Sequence, residues 1–231
     1  MINVYYMKVS PLIKEDTFWS QLNIVGEERR KKIMRMTNGG DRLRSLGAGI
    51  LLHYALCRKL ELSPDYKKPF AVSQEAGGKP FLPEFPDIHF NLSHSGDYVC
   101  CAIGNEPVGA DLQKYTSVKE RLAKRFFTEK DNQMLAACGE EQREKLFFRM
   151  WSIKEGYIKF TGKGMSQGLD SFEIDWERKA VKQKEKTEPA AFYEELSSLP
   201  GYSFCVCFGD SGQEVVWQEV LWEELSRISG N

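Results

Sequence analysis

The run EQREKLFFRMWSIKEGYIKF, residues 141–160, constrains this chain more than any other stretch of its 231 residues. It reads as one long helix that ends before Gly162. At 100° per residue, Phe148, Trp151, Glu155 and Lys159 share one side, while Met150, Ile153, Tyr157 and Phe160 cover the opposite one. A helix apolar nearly all round is a buried helix, and this one must take Glu155 and Lys159 in with it. An unpaired charge in such a setting costs on the order of several kcal/mol. On spacing alone, a structural Glu–Lys pair at i,i+4 is the commoner reading. The cost argues the other way, because a surface pair needs no aromatic flanks and a core needs no ion pair.

A chain of this length can form one large domain or two small ones with ample core. Its 42% hydrophobic and 28% charged residues are ordinary for a soluble globular protein. The 32 basic and 33 acidic side chains nearly cancel, so no global field draws nucleic acid or anionic membrane, and any anion site is local. The opening MINVYYMKVS lacks the pattern of a signal peptide, and no apolar run is long enough to span a bilayer. Six cysteines show no CxxC pair and no zinc-like spacing with the histidines. These features lead us to expect a reduced, cytoplasmic protein with neither nucleic acid nor membrane as partner.

The order of elements predicts an α+β fold. INVYYMKV reads as a strand, the run from Glu27 as a basic helix, and Leu43 to Leu60 as a largely buried helix. Pro64 and the GGKP turn at Gly77–Pro80 punctuate the chain after that helix. DIHFNLSHS alternates Ile88, Phe90 and Leu92 against His89, Asn91 and Ser93, a half-buried strand. DYVCCAIG and VGADLQKY form a plausible hairpin. SVKERLAKRFF is a basic amphipathic helix, and TEKDNQMLAAC opens on a capping box. After the long helix come strands SFEIDWE, YSFCVCF and EVVWQEV, with the charged ERKAVKQKEKTE expected as a solvated loop or hairpin tip. Strands and helices mix without regular βαβ alternation, hence α+β rather than doubly wound.

Three further stretches carry polar groups in patterns that chemistry uses. In VGADLQKY, Asp111 and Gln113 point to one face of a strand, which is either a solvated edge or a metal site. In NLSHSG, Ser93 and His94 end a strand before a glycine. That is a hydroxyl-capped turn or an anion site, since adjacent residues rarely bring nucleophile and base onto one proton. The basic run Arg29 to Lys32, and Arg44 one helix on, is a solvated face unless a polyanion lies beside it.

FNLSHSG, VGADLQKY and WSIKEGYIKFTGKGM, in this order and spacing, resemble the Sfp-type 4′-phosphopantetheinyl transferase family. That family carries a Ser-His strand end, then a strand with Gly, Asp and Glu, then a helix with Trp, Lys-Glu and a lysine four residues beyond the Glu. The resemblance is firm from Gly78 to about Asp170, looser before it and slight over the last sixty residues. It implies a pseudo-twofold, two-subdomain α+β fold, with residues 1–106 contacting coenzyme A phosphate and adenine. Residues 107–231 would then carry the metal ligands, the catalytic helix and a carrier-facing helix. It implies transfer of the phosphopantetheine arm of coenzyme A to a serine of an apo acyl or peptidyl carrier protein, releasing adenosine 3′,5′-bisphosphate, with magnesium required.

By the same resemblance, Asp111 and Glu155 are the principal metal ligands, and Gln113 stands where many relatives have glutamate. An amide lowers the charge around the ion by one unit, so affinity should weaken or manganese be accepted more readily. Lys159 would stabilise the departing bisphosphate, and Glu155 would take the proton of the carrier serine, directly or through metal-bound water. Ser93 and His94 would bind the 3′-phosphate with Arg44 and one of Lys31 or Lys32, while Lys79 and Pro80 border the adenine. The basic segment 118–127 would face the acidic carrier. Both site-bearing regions lie on one chain, so a monomer is expected. The alternative is a non-catalytic module that binds coenzyme A or a carrier, against which the retained Glu155 and Lys159 count. A phosphohydrolase of coenzyme A is a third reading.

Overall fold

The computed structural model describes residues 1–63, 66–75, 77–117, 120–184 and 186–226. Pro64, expected to punctuate the chain, lies outside them. The first part of the chain runs β1 (Ile2–Lys8), α1 (Glu15–Gln21), α2 (Glu27–Arg35), α3 (Gly39–Lys59), β2 (Ser73–Gln74), β3 (Pro80–Phe81), β4 (His89–Ser95) and β5 (Tyr98–Gly104). The second runs β6 (Val108–Lys114), α4 (Glu120–Phe126), α5 (Glu129–Ala136), α6 (Glu140–Thr161), β7 (Phe172–Asp175) and β8 (Ala180–Gln183). It ends with β9 (Ala191–Glu195), β10 (Tyr202–Phe208), β11 (Val215–Glu219) and α7 (Trp222–Ser226).

The strands form a four-stranded sheet in the order β11-β1-β5-β4, a five-stranded sheet in the order β6-β10-β9-β8-β7 and a small antiparallel hairpin of β2 and β3. Pairing is antiparallel except where β1 meets β11. The α+β class follows, as the irregular order of elements predicts.

Two strands, β5 and β10, are buried along their whole length instead of alternating. The layering explains this. Val99, Cys101 and Ile103 of β5 pack under α3 in one core, while Cys100 and Ala102 meet Ala110, Leu112, Phe204 and Val206 in another. Cys205 and Cys207 of β10 turn to α6 in the third. The layers are therefore helix, sheet, sheet, helix, with an apolar seam between the sheets. All six cysteines are free thiols, five of them buried.

The segment expected as a solvated loop, ERKAVKQKEKTE, instead contains β8, an inner strand whose Ala180 and Val181 are fully buried. Lysines crowd its ends, and Lys182 pairs across the ladder with Glu173 at 3.9 Å. Its partner β9 is a further strand that the periodicity does not predict. The expected boundary at 106/107 falls between β5 and β6, which go to different sheets, so the hairpin expected of these two runs does not form. The end of the chain then crosses back, with β11 pairing β1 while Val220 and Leu225 complete the core under α3. No helix among the described residues is long and apolar enough to cross a membrane.

Candidate active site

The two sheets meet edge to edge through side chains. Asn91 Oδ1 accepts the Ala110 N–H at 2.9 Å, Ser93 Oγ accepts Leu112 N–H at 3.2 Å, and Ser95 Oγ accepts Lys114 N–H at 2.9 Å. Alternate residues of β4 thus cap alternate donors of β6, whose edge would otherwise leave them unsatisfied. Asn91 and Ser93 are buried by this arrangement. The polar face of β4, expected to be the open one, is covered by the other half of the molecule.

Close packing then brings α6 onto β6. A Cβ on Gly109 would run into the Gly156 carbonyl oxygen and the Phe160 backbone. Only glycine allows so near an approach, and it sets Glu155 and Lys159 beside Asp111. Lys159 Nζ donates to Asp111 Oδ1 at 2.6 Å, to Ser93 Oγ at 3.0 Å and to the Ala110 carbonyl at 3.1 Å. Ser93 donates to Asp111 Oδ1 at 2.9 Å, and Gln113 Nε2 donates to Oδ2 at 2.8 Å. The Asp111 carboxylate is buried but fully partnered.

Electrostatics follow the same neighbours. Burial, and then the Asp111 charge, push the Glu155 carboxyl above its ordinary value, with Lys159 opposing. Burial draws the Lys159 ammonium down, but Asp111 more than reverses this, so it is held above its ordinary value. Glu155 is therefore a stronger base than a free glutamate, next to a firmly charged lysine.

Lys159 also lines a cleft of about 1320 Å³ together with Lys31, Lys32, Lys79 and Pro80. The hairpin carrying Lys79 and Pro80 rests on the end of α6. Gly162 caps that helix at φ +70°, and Lys79 Nζ donates to the Phe160 carbonyl at 2.8 Å. Burial holds the Lys79 ammonium below its ordinary value. Lys31 shares its charge with Glu27 at 2.8 Å and Glu28 at 3.0 Å, whereas Lys32 is exposed on the cleft wall.

At the far end of β4, His94 is exposed and lies beside Arg44. The covered part of its ring, and then the Arg44 and Lys159 cations, hold His94 below the ordinary histidine value. Arg44 Nη1 donates to the Gly96 carbonyl at 3.1 Å and Nη2 to Asp41 at 2.6 Å. Ser93, which the resemblance groups with these two, turns inward instead, to Asp111 and Lys159. Of the segment 118–127, which is expected to face a carrier, Val118 and Lys119 lie outside the described residues. The rest is α4 and the residue after it, with Arg121, Lys124 and Arg125 at its surface.

The donor set suits a hard divalent cation. Two carboxylates from distant parts of the chain, Asp111 and Glu155, stand near enough for one charge to oppose the other's ionisation, a repulsion a cation would relieve. A third acid is missing because position 113 is an amide, and among the described residues no group of three or more His, Cys, Asp or Glu stands together.

Sequence reasoning missed Lys154. It is wholly buried, with Nζ on Asp131 Oδ2 at 2.8 Å, the Leu169 carbonyl at 2.9 Å and the Phe172 carbonyl at 3.1 Å. Its position on the apolar side of α6, one residue before Glu155, was the available signal.

The family model described as the 4′-phosphopantetheinyl transferase superfamily matches residues 107–207, and one described as 4′-phosphopantetheinyl transferase, N-terminal, matches residues 12–106. The chain is similar to the 4′-phosphopantetheinyl transferase Sfp of Bacillus subtilis, 32% identical over 189 residues that cover 80% of this chain and 83% of that protein. It is also similar to the 4′-phosphopantetheinyl transferase gsp of Aneurinibacillus migulanus, 35% identical over 210 residues covering 90% and 86%. A third relative, 4′-phosphopantetheinyl transferase HetI of Nostoc sp., is 42% identical over 161 residues covering 64% and 62%.

Proposed function

The chain belongs to the 4′-phosphopantetheinyl transferase superfamily, and on that premise we propose that the Asp111–Glu155–Lys159 cluster is its catalytic centre. The enzyme moves the phosphopantetheine arm of coenzyme A onto a serine of an apo carrier protein, releasing adenosine 3′,5′-bisphosphate. The observation that supports the centre most is the convergence of the two acids on a lysine that lines a basic cleft.

Coenzyme A enters with its adenosine end toward Lys79 and Pro80 and its 3′-phosphate toward Arg44, His94 and Lys32 or Lys31. An anion beside His94 favours its protonated form, so the ring can become a donor as the phosphate arrives. The diphosphate then lies at Lys159. This side chain is 27% exposed, so it can exchange its bond to the Ala110 carbonyl for a phosphate oxygen while keeping Asp111.

Asp111 and Glu155, with the Gln113 amide beside them, would hold magnesium. When bound, the ion neutralises diphosphate charge and favours attack at phosphorus. Glu155 takes the proton of the carrier serine hydroxyl, directly or through a water. The serine oxygen bonds to the phosphorus that bears the pantetheine arm, and the bond from that phosphorus to the bridging oxygen breaks. The bisphosphate leaves with the electron pair, its charge met by Lys159. Arg121, Lys124 and Arg125 of α4 offer an acidic carrier helix a complementary surface.

Asp111→Ala and Glu155→Gln are expected to abolish transfer; Glu155→Gln should keep the melting temperature near that of the parent, whereas Asp111→Ala should lower it, because it leaves the Lys159 ammonium without its carboxylate. Mass spectrometry of an apo carrier after incubation reads the added arm directly. Near-normal transfer by both variants would refute the assignment.

A further inference from the structure

We infer that Ser93 is a positioning residue for Asp111 and Lys159 and not a ligand of the substrate's 3′-phosphate, an inference that rests on the transferase reading above. A hydroxyl has one hydrogen to give and two lone pairs to receive. Ser93 gives its hydrogen to Asp111 Oδ1 at 2.9 Å and receives Lys159 Nζ at 3.0 Å and the Leu112 N–H at 3.2 Å. Every capacity is used within the protein, at a residue only 6% exposed.

A phosphate is an acceptor, so it could use this hydroxyl only by taking the hydrogen from Asp111. That exchange would set a second anion against a buried carboxylate at its own donor. The strand offers a cheaper arrangement. Residues 93 and 94 point to opposite faces of β4. His94 looks outward beside Arg44 and serves the anion, while Ser93 looks inward and serves the acid.

What Ser93 adds is a bridge. Its oxygen touches both members of the 2.6 Å pair between Lys159 and Asp111 and is itself fixed by the backbone of β6. When Lys159 turns one N–H toward the diphosphate, the hydroxyl keeps the carboxylate and the ammonium in register. Without it, Asp111 Oδ1 retains Lys159 as its one remaining partner of the two, and both side chains gain freedom.

The test compares coenzyme A with 3′-dephospho-coenzyme A, using an apo carrier as acceptor and calorimetric binding of each without carrier. Ser93→Ala is expected to lower kcat at least about tenfold with both substrates, the effect of losing a hydrogen bond to a charged group. The ratio of kcat/KM between the two substrates, and the binding of coenzyme A, should stay within about threefold of the parent. Arg44→Ala should instead collapse that ratio. Ser95→Ala removes a neighbouring rung that does not touch Asp111, and should leave kcat within about twofold. Ser93→Cys fills the same space with a weak donor, and should repeat the Ser93→Ala result if the alanine variant does not fold. The inference is overturned if either Ser93 variant erases the preference for coenzyme A, if kcat survives, or if Ser95→Ala costs as much as Ser93→Ala. A parent chain that modifies no apo carrier would overturn the transferase reading itself, a result separable from all of these.

Discussion

Helices α3 and α6 both bury a long face against a sheet, and both carry a base into the interior, yet they treat it in opposite ways. On α3, every residue from Ser45 to Cys57 is buried, and the base is His53. Its Nε2 lies 2.8 Å from the Tyr66 carbonyl, and burial holds the ring below the ordinary histidine value against a smaller pull from that carbonyl. On α6, the base is Lys154. It has three acceptors, Asp131 and the carbonyls of 169 and 172, with the Phe172 ring 4.9 Å away. One carbonyl accepts from the Nε2 of a neutral ring, and Nδ1 is buried without a hydrogen-bond partner. Three acceptors, one of them a carboxylate, call for an ammonium. Burial draws both bases down, and the difference lies in the partner, since Asp131 pulls Lys154 back toward its charged form more than a carbonyl can pull His53. The charged solution appears on the helix that must hold Glu155 and Lys159 still, and it ties that helix to α5 and to the segment before β7.

The comparison breaks most easily at Lys154. Lys154→Ala strands the Asp131 carboxylate in the core, and urea unfolding should register a loss of about 3–5 kcal/mol. Replacing both partners, Lys154→Met with Asp131→Leu, should recover part of it. Full recovery is not expected, because Asp131 also accepts the Thr128 N–H as the capping box of α5, a contribution of about 1 kcal/mol. A double variant as unstable as Lys154→Ala would mean that the buried charge was not the cost.

The same two helices differ in how they approach their sheets, and a pair of alanine substitutions sharpens the contrast. On Gly109 under α6, a methyl would meet only backbone, the Gly156 carbonyl and Phe160. Gly109→Ala should cost about 1–3 kcal/mol and lower transfer as well, since the helix can yield only by moving Glu155 and Lys159. On Gly49 of α3, a methyl would meet Val25 Cγ1 at 2.5 Å and Arg29 Cδ at 2.7 Å, side chains and not backbone. Gly49→Ala should also cost about 1–3 kcal/mol, but with transfer retained, because the strain falls on α2 and the residues before it and not on Glu155 or Lys159. Equal losses of transfer would remove the special role of the α6–β6 contact.

How much of the molecule is legible in its sequence depends on how local each signal is. The long helix is legible because aromatics, charges and a closing glycine all fall within one stretch. The sheet-forming runs YSFCVCF and DYVCCAIG are legible for the same reason. The direction of Ser93 is not. Alternation along FNLSHS separates two faces but cannot say that a second sheet will cover the polar one, and here both are covered, Phe90 by the core under α3 and Asn91 and Ser93 by β6. Strands β8 and β9 are hidden because lysines and glutamates at their ends outweigh the short buried pair Ala180–Val181. Lys154 escapes notice because lysine is so rarely buried, although its place on the helix argues for it. Asp111, Glu155 and Lys159 meet through a glycine contact whose closeness no spacing rule reports.

The smallest predicted effect returns to His53, the neutral member of the comparison. Its folded value lies below the ordinary 6.5, so between the two the unfolded chain binds more protons than the folded one. Stability from this group is complete above the ordinary value and is lost as pH falls through 6.5 toward the folded one. Urea midpoints should therefore decline from about pH 7.5 to about pH 5.5. His53→Gln keeps a donor for the Tyr66 carbonyl but cannot take up a proton, so its decline should be shallower. A residual slope is expected from His94, which is shifted the same way. Lys154→Ala, by contrast, should lower the midpoints at both pH values, because it strands the Asp131 carboxylate. If His53→Gln left the slope unchanged, the neutral buried ring would not be a source of acid sensitivity, and the contrast between the two helices would rest on Lys154 alone.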